Sequence, residues 1–309
     1  MKKIVKAIKL IGNPAKMVVR LNSHGFARLF PDKFFLKCEY KHTFGKKLNL
    51  KDPQTYNEKI QWLKLYDRRL EYTAMVDKYE AKKYVADIIG EEYIIPTLGV
   101  WDRFEDIDFE SLPDQFVLKC THDSGGLAIC RNKDDFDIDG AREKINKALK
   151  CQYFYAHREW PYKNVKPRII AEQYMEDNSG SSGLTDYKFF CFNNEAKMLY
   201  VSQGLEDHST ARISFYDLNG NEMPFRRSDY RPIGDNMTLP NDFEDMLKTA
   251  NKLARSINSA FVRVDLYSTN NGIKFSEITF SPCAGMIPFD PPEWNETLGT
   301  WIKLPEKVK

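Results

Sequence analysis

Two carboxylates near the end of the chain have the spacing of a cation site. Asp265 lies in the segment FVRVDLY and Glu277 in IKFSEIT, and apolar residues alternate with polar ones along both segments. This alternation around Asn270, Asn271 and Gly272 predicts a β-hairpin. A loop of three or five residues centred on Asn271 would place the carboxylates opposite each other, whereas a two-residue turn at 271–272 would put them on opposite faces. If the two carboxylates act together, the loop must therefore contain an odd number of residues.

Opposed carboxylates on one sheet face repel each other unless a cation lies between them. A divalent metal ion that also holds phosphates is the natural candidate, because hard cations prefer oxygen ligands. Arg263 shares the strand face of Asp265, and Thr279 shares that of Glu277. A solvated sheet face with charges at arbitrary positions is the alternative, and the hairpin alone leaves it open.

A lysine in an apolar strand directly precedes a glycine-containing loop. Lys119 lies in QFVLKC, and the polar residues 121–126 follow it. A lysine is rarely buried without an anionic partner, and a loop of small residues can present backbone amides to phosphate oxygens. The GxxxxGK[ST] motif of a P-loop is absent. The combination of this lysine and this loop indicates phosphate binding, and a plain hairpin turn is the alternative. We expect His122 in the loop to have a structural role.

Further polar groups carry little information individually. Lys78 begins a predicted helix, where a helix N-terminus favours anions. Residues 172–175 end the apolar strand RIIAEQYM, and their backbone could meet an adenine edge. Asp186 and Lys188 follow a Ser/Gly loop and could meet ribose or phosphate. Arg212 could clamp phosphate, because its forked guanidinium fits phosphate oxygens. Solvated surface groups are the alternative in each case.

Helices mixed with antiparallel strands must position these groups, which predicts an α+β fold. Thr55 followed by Glu58 is a capping-box pattern that begins a helix, and apolar residues recur with helical spacing over 242–257. A chain of 309 residues is long enough for two or three subdomains. We expect a basic N-terminal extension over 1–50, a helical and β region over 51–110, a small subdomain with the glycine loop over 111–175, and a C-terminal subdomain with the metal site over 176–309.

Charge is unevenly distributed along the chain. Residues 1–50 contain twelve Lys and Arg but only Asp32 and Glu39, a net charge of +10, so the rest carries −8 of the overall +2. This basic segment predicts an anionic partner such as a membrane surface or an acidic polymer, with a solvated basic arm as an equal alternative. No nucleic-acid partner is expected. KKIVKAIKLIG could lie on a membrane as an amphipathic helix, but lacks the continuous apolar run of a signal peptide or spanning helix.

The six cysteines have no CxxC spacing and no accompanying histidine cluster. A zinc site and a disulfide framework are therefore not predicted, and a reducing cytoplasm fits the composition.

Taken together, these segments resemble a known family. YNEKIQWLK, DKYEAKKYV, LKCTHDSGG, DYKFFCF, VRVDLY and EITFSPCAGMIPFDPPEW are similar to segments of the TupA-like ATP-grasp proteins, which are associated with teichuronopeptide and capsular polysaccharide synthesis. The resemblance covers roughly residues 30–304. Its individual motifs are weak, and their combination is specific.

The resemblance implies an ATP-grasp fold in which two α+β subdomains clasp ATP with Mg²⁺. The residues it assigns to the nucleotide are Lys78, Lys119, Thr121, Ser124, Gly125, Gly126, Glu172, Gln173, Tyr174, Met175 and Asp186. Asp265 and Glu277 would bind the metal, with Thr279 where many ATP-grasp enzymes have an Asn, a weaker ligand that puts a second metal in doubt. Arg263, Lys188 and Arg212 would act at the transferred phosphate.

The leading hypothesis is an ATP- and Mg²⁺-dependent ligase of cell-surface polysaccharide synthesis, which activates a carboxylate as an acyl phosphate for attack by an amine. Its partners would be a saccharide or polysaccharide-precursor acceptor and an amino acid or other amine. We expect it in the cytoplasm, with peripheral contact between the basic N-terminus and the inner leaflet left open. A saccharide kinase and a non-catalytic polysaccharide- or membrane-binding accessory protein are the alternatives.

Overall fold

Helices and antiparallel sheets make up the computed structural model, which describes residues 14–177, 184–204, 209–234 and 237–306. Its helices are α1 (Pro14–Leu21), α2 (Asp32–Phe44), α3 (Tyr56–Tyr66), α4 (Tyr72–Val76), α5 (Glu80–Ile89), α6 (Ile138–Leu149), α7 (Phe154–His157), α8 (Phe243–Ile257) and α9 (Glu293–Trp301). Its strands are β1 (Thr97–Trp101), β2 (Phe116–Cys120), β3 (Leu127–Cys130), β4 (Ile169–Gln173), β5 (Asp186–Phe192), β6 (Glu195–Gln203), β7 (Arg212–Tyr216), β8 (Arg226–Arg227), β9 (Phe261–Thr269), β10 (Gly272–Thr279) and β11 (Phe289–Asp290). The mixed α+β class predicted from the sequence is confirmed.

The smaller sheet has four antiparallel strands in the order β1–β4–β2–β3. Phe116, Leu118 and Cys120 alternate onto one face and pack on Ile145 of α6 in one apolar cluster. The intervening Lys119 lies on the other face. Strand β1 pairs with β4, so this sheet extends across the boundary predicted at 110/111.

The larger sheet has five antiparallel strands in the order β10–β9–β5–β6–β7. On one face, Val264 and Leu266 pack in a cluster with Leu253 of α8. On the other face, Phe190 and Phe261 pack with residues of α2, α3 and α9. Because the sheet is covered on both sides, any charged residue within it must have a partner.

The hairpin of β9 and β10 has the predicted strands but not the predicted loop. Two residues, Asn270 and Asn271, connect them, and the register runs evenly until Phe275 faces Leu266. The register then shifts, and Glu277 faces Asp265. The odd-numbered loop was therefore wrong, because an extra residue in β10, a β-bulge, aligns the two carboxylates instead.

Two helix signals in the sequence are confirmed. Thr55 forms the predicted capping box with Glu58 at the start of α3. The helix predicted over 242–257 is α8, which begins after Asp242 without a side-chain cap. The predicted amphipathic stretch in KKIVKAIKLIG lies outside the described residues. Within the described part of the chain, no helix combines the length and apolar character needed to cross a membrane.

Gly126 is a position where the glycine loop packs too closely for a side chain. A Cβ atom there would lie 2.5 Å from Cys120 Sγ and 2.8 Å from Ala148 Cβ. We expect Gly126→Ala to lower the free energy of unfolding by about 1–3 kcal/mol, since overpacking forces neighbours to move. Urea denaturation measures this.

Gly125→Ala is the matched control, because its Cβ would meet only Asp123 Oδ2 at 3.9 Å. Equal unfolding midpoints for the two variants would contradict this account of the packing.

Candidate functional site

A guanidinium lies between the two carboxylates of the hairpin. Arg263 donates to Asp265 Oδ1 and Oδ2, both at 2.7 Å, and its Nη2 also donates to Glu277 Oε1 at 2.5 Å. The cation that the sequence required between the carboxylates is thus, in this structure, an arginine on the same strand face. The Asp265 side chain is fully buried, whereas that of Glu277 is 32% exposed. Glu277 is therefore the member that solvent reaches.

A second cation neutralises Asp265 from the neighbouring strand. Lys188 of β5 faces Asp265 in the register, and its Nζ lies 3.1 Å from Asp265 Oδ2 and 3.0 Å from Asp186 Oδ1. Burial alone would lower the pKa of Lys188, but the two carboxylates raise it above its usual range. Lys188 is therefore a permanent positive charge in the centre of the sheet.

The two carboxylates differ in their affinity for protons. Burial raises the pKa of Glu277, but the charges of Arg263, Lys78 and Lys188 outweigh burial and bring it to about 2. For Asp265, burial dominates over Arg263 and Lys188, and its pKa is raised. Glu277 is consequently a fixed anion at neutral pH, and it accepts a further hydrogen bond from Thr279 Oγ1 at 3.1 Å.

The predicted glycine loop meets Lys78. The Lys78 amide donates to Thr121 O at 3.1 Å, and its Nζ donates to Asp123 O. Ser124 and Gly125 are exposed, and the amides of residues 122–125 have no acceptor among the described residues. A run of unbonded amides in a turn is a site for an anion. The charge of Lys78 also lowers the pKa of Glu277, so this lysine lies within electrostatic range of the hairpin.

Two of the loop residues serve the fold instead. Thr121 is fully buried, its amide donates to Arg168 O at 2.9 Å, and its hydroxyl donates to Lys166 O at 3.3 Å. His122 Nε2 lies 3.2 Å from Ala148 O, consistent with the structural role predicted for it. The Thr121 side chain is thus not among the groups brought to the exposed part of the loop.

A second cluster lies on the smaller sheet. Lys119 Nζ lies 2.6 Å from Glu172 Oε2, and Lys82 Nζ of α5 lies 2.6 Å from Glu172 Oε1. Burial raises the pKa of Glu172, but the two lysines outweigh it and lower the pKa to about 2. The anionic partner expected for Lys119 is therefore Glu172, which the sequence had grouped with the adenine-facing residues.

Lys82 was missed by the sequence analysis. It lies four residues after Lys78, in a helix whose apolar face includes Ala81 and Val85, and it is itself only 9% exposed. The available sequence signal was a lysine at a position where the helical spacing of apolar residues predicts a buried side chain.

The other residues grouped with Glu172 lie at the end of β4. Gln173 and Tyr174 line a cavity of about 740 Å³, and Met175 is buried. The Tyr174 hydroxyl accepts a hydrogen bond from Arg131 Nε at 3.3 Å. This cavity does not include the hairpin carboxylates among its lining residues.

Arg212 is not brought to the site. Its neighbours Ile213 and Phe215 pack in the same cluster as Phe190 and Tyr200, on the sheet face that also carries Lys188. Since strand side chains alternate, Arg212 lies on the opposite face, where its Nη1 donates to Pro232 O at 3.1 Å. The prediction of a phosphate clamp at this position is corrected by the strand register.

Helix α3 holds the segment that follows the hairpin, which the sequence analysis also missed. Gln61 Nε2 donates to Ala284 O and Gly285 O, each at 2.9 Å, and Lys64 Nζ donates to Ala284 O at 2.9 Å. Cys283 and Ala284 have positive φ values of 49° and 57°, which non-glycine residues rarely adopt. The available sequence signal was the position of Gln61 and Lys64 beside the apolar residues Ile60, Trp62 and Leu63 of this helix.

The carboxylate pair fits a divalent cation. Arg263 Nη2 marks one point that an oxygen of each carboxylate already reaches, at 2.7 and 2.5 Å. Carboxylate oxygens are the ligands that hard cations prefer. Glu277 Oε2 has no donor among the described residues, which leaves it available. Among those residues, no three or more His, Cys, Asp or Glu side chains are placed to hold a metal ion together, so phosphate and water would have to complete the coordination.

A comparison with protein families gives one match over most of the chain. The family described as TupA-like ATPgrasp matches residues 58–303. No curated protein sequence matches the chain.

Solved structures similar to the chain are ligases of low sequence identity. D-alanine–D-alanine ligase from Bacillus anthracis complexed with ATP is 14% identical, covering 67% of this chain and 54% of that one, with a TM-score of 0.39. ATP-grasp ligase PsnB complexed with minimal precursor is 9% identical, covering 69% and 54%, with a TM-score of 0.39. D-alanine–D-alanine ligase from Helicobacter pylori is 17% identical, covering 80% and 69%, with a TM-score of 0.42. The chain thus spans about half the length of the first two structures.

Glu172 predicts an acid-sensitive contribution to stability. Its pKa falls from 4.5 to about 2 on folding, so the stabilisation is complete above the unfolded pKa and is lost as the pH falls towards 2. We expect Glu172→Gln to lower the free energy of unfolding at pH 7 by about 3 kcal/mol, because it removes the anionic partner of the buried Lys82 and of the partly buried Lys119. Denaturant titrations from pH 7 to 2 should show a shallower acid dependence in the variant.

Glu80→Gln is the matched control. Glu80 also accepts from a cation, Arg168, but its side chain is 48% exposed, so its removal should change stability little. An unchanged acid limb in Glu172→Gln would contradict the assigned pKa direction.

Proposed function

The chain belongs to the TupA-like ATP-grasp family, and on this premise we propose that it is an ATP- and Mg²⁺-dependent carboxylate–amine ligase. The observation that carries the proposal is the partly exposed Glu277, which contacts Arg263 and whose pKa the charges of Arg263, Lys78 and Lys188 lower to about 2. A guanidinium beside an accessible, ionised carboxylate, within the range of two further positive charges, would suit a metal-bound polyphosphate.

Two groups of residues would hold the nucleotide phosphates. One group is Lys78 with the amides of residues 122–125, which have no acceptor in the described part of the chain. The Lys119–Glu172–Lys82 cluster supplies the other. Glu172 fixes the two lysines in place, while Lys119 keeps 21% of its side chain exposed. Gln173 and Tyr174 would face the adenine, because the cavity that they line lies at the strand end next to Glu172. Asp186 would act on the nucleotide indirectly, because it forms an ion pair with Lys188.

Asp265 and Glu277 would hold Mg²⁺, which supplies charge neutralisation for the phosphoryl oxygens when bound. Thr279 contributes a hydroxyl that donates to Glu277 and orients it. Arg263, whose place between the carboxylates the metal ion would take, would stabilise the charge that develops on the transferred phosphoryl group. Lys188 on the adjacent strand favours the ionised form of Asp265, against the effect of burial.

The proposed reaction has two steps. A substrate carboxylate oxygen attacks the γ-phosphorus of ATP, the bond to the bridging oxygen breaks, and ADP leaves. The amine nitrogen then attacks the acyl carbon, the carbon–oxygen bond to phosphate breaks, and inorganic phosphate leaves as the nitrogen loses a proton. Catalysis in the first step rests on positioning and electrostatic stabilisation.

The carboxylate is proposed to belong to a saccharide or polysaccharide precursor of the cell surface, and the amine to an amino acid or related compound. The resemblance in sequence to proteins of teichuronopeptide and capsular polysaccharide synthesis supports this assignment. The reaction would take place in the cytoplasm, where ATP is available.

Glu277→Gln tests the proposal directly. We expect turnover to fall at least about a hundredfold, because the variant removes the charge of the metal ligand. ADP release in the presence of Mg²⁺, uronic-acid acceptors and amino acids measures turnover, and hydroxylamine traps the acyl phosphate as a hydroxamate. Glu244→Gln, an exposed glutamate in α8, is the control and should retain activity.

The products separate the alternatives. Free phosphate with a new amide supports the ligase, whereas a stable phosphoester and no free phosphate supports a saccharide kinase. If the wild-type protein neither binds ATP nor releases ADP, the ligase proposal is contradicted and a non-catalytic accessory role is favoured.

A further inference from the structure

The N-terminal helical region has an outer surface that the proposed ligase activity does not explain. We call it the N-terminal patch, and it comprises the exposed residues Lys16, Met17, Arg20, Phe26, Arg28, Leu29, Lys33, Phe34, Lys37 and Lys41. The patch contains exposed basic and apolar side chains side by side. The patch is therefore both positively charged and partly apolar.

Both acidic residues of this region face inward. Asp32 Oδ2 accepts from Arg68 Nη2 at 2.7 Å, and Asp32 Oδ1 lies 3.2 Å from Arg158 Nε. Glu39 is 5% exposed, and its Oε1 lies 2.6 Å from His157 Nδ1. Because both acidic residues are paired with internal partners, every fully exposed charged side chain described between residues 14 and 50 is basic.

Helix α2 is divided into two faces. Phe35, Leu36, Glu39 and Tyr40 are buried, whereas Lys33, Phe34, Lys37 and Lys41 lie on the outer face at helical spacing.

Exposed apolar side chains are concentrated in the same place. Seven large apolar side chains are exposed in the described residues, and four of them lie between residues 17 and 34. Leu29 is 72% exposed, Phe26 50% and Phe34 48%. Phe34 also contacts Phe30, with ring centroids 6.1 Å apart. Clustered exposed apolar side chains mark an interaction surface more often than scattered ones do.

We infer that the N-terminal patch docks the protein on an anionic lipid bilayer. Lysine and arginine would attract the negatively charged head groups, while Phe26, Leu29 and Phe34 would enter the boundary between head groups and acyl chains. The charge distribution along the sequence orients the molecule, because residues 1–50 carry +10 and the remainder −8. The basic end therefore faces an anionic surface.

A lipid surface explains the patch better than a soluble acidic polymer does. A polyanion would be bound by the charges alone, and exposed phenylalanine and leucine would contribute little to it. The N-terminal helical region also packs on residues close to the glycine loop: Asn22 Nδ2 donates to Tyr155 O at 2.9 Å, and Arg28 Nη2 donates to Gln152 Oε1 at 2.5 Å. The neighbouring Tyr153 hydroxyl lies 3.3 Å from Ser124 Oγ in the glycine loop. Docking would thus hold the site close to the membrane.

Flotation of the full-length protein with vesicles tests this inference without ATP. The vesicles contain either phosphatidylcholine alone or phosphatidylcholine mixed with phosphatidylglycerol. We expect binding to the anionic vesicles only, decreasing at high salt. Lys33→Gln with Lys37→Gln should lower the partition coefficient about fivefold for each charge removed. Phe26→Ser, Leu29→Ser and Phe34→Ser combined should lower it at least about tenfold.

Matched controls come from exposed residues outside the patch. Leu70→Ser with Ile138→Ser controls for the loss of exposed apolar area, and Lys83→Gln with Lys144→Gln controls for the loss of charge. Both controls should bind like the wild type, and circular dichroism verifies that every variant is folded.

Three outcomes would overturn the inference. They are equal binding to neutral and anionic vesicles, no binding to either, and unchanged binding by the apolar triple variant. If a soluble polyuronate bound the protein and the apolar variant left that binding intact while vesicles remained unbound, the patch would be a polysaccharide surface instead. Because ATP is absent, these results do not depend on the proposed ligase activity.

Discussion

The rest of the candidate site depends on the burial of opposite charges within the larger sheet. This sheet is covered by helices on both faces, so Asp265 has no access to water and must be neutralised by protein groups. Arg263 and Lys188 do this from the same strand and from the adjacent strand. Their charges then lower the pKa of Glu277 at the edge of the cluster. A structural requirement of the buried sheet thereby produces an accessible, permanently ionised carboxylate.

The smaller sheet repeats the same arrangement, with one buried carboxylate between two cations. There, one buried carboxylate, Glu172, holds two lysines that come from different elements, Lys119 of β2 and Lys82 of α5. Helix α5 begins next to Lys78, which contacts the glycine loop, and it packs on α8. One helix therefore connects both charged clusters, and the geometry of a bound polyphosphate would depend on its position.

Local sequence patterns predicted the elements with good accuracy where the physics is local. Thr55 and Glu58 satisfy each other's backbone amides within one turn, so their spacing was sufficient to place the start of α3. The alternation in β9 and β10 likewise predicted the hairpin, and the joint action expected of Asp265 and Glu277 predicted their pairing. The predicted loop length was wrong. A β-bulge and an odd-numbered loop shift the register by the same amount, and the sequence pattern does not distinguish them.

The sequence by itself determined the residue types of the site: carboxylates on two paired strands, a strand lysine before a glycine loop, and a lysine before a helix. Only the tertiary structure decided which of them meet. It paired Lys119 with Glu172, added Lys82 and Gln61 from helices, and placed Arg212 on the far face of its sheet. The reason is that alternation fixes a side chain's face relative to its neighbours in the strand. Which element covers that face, and which charges it contributes, depends on contacts between residues far apart in the chain.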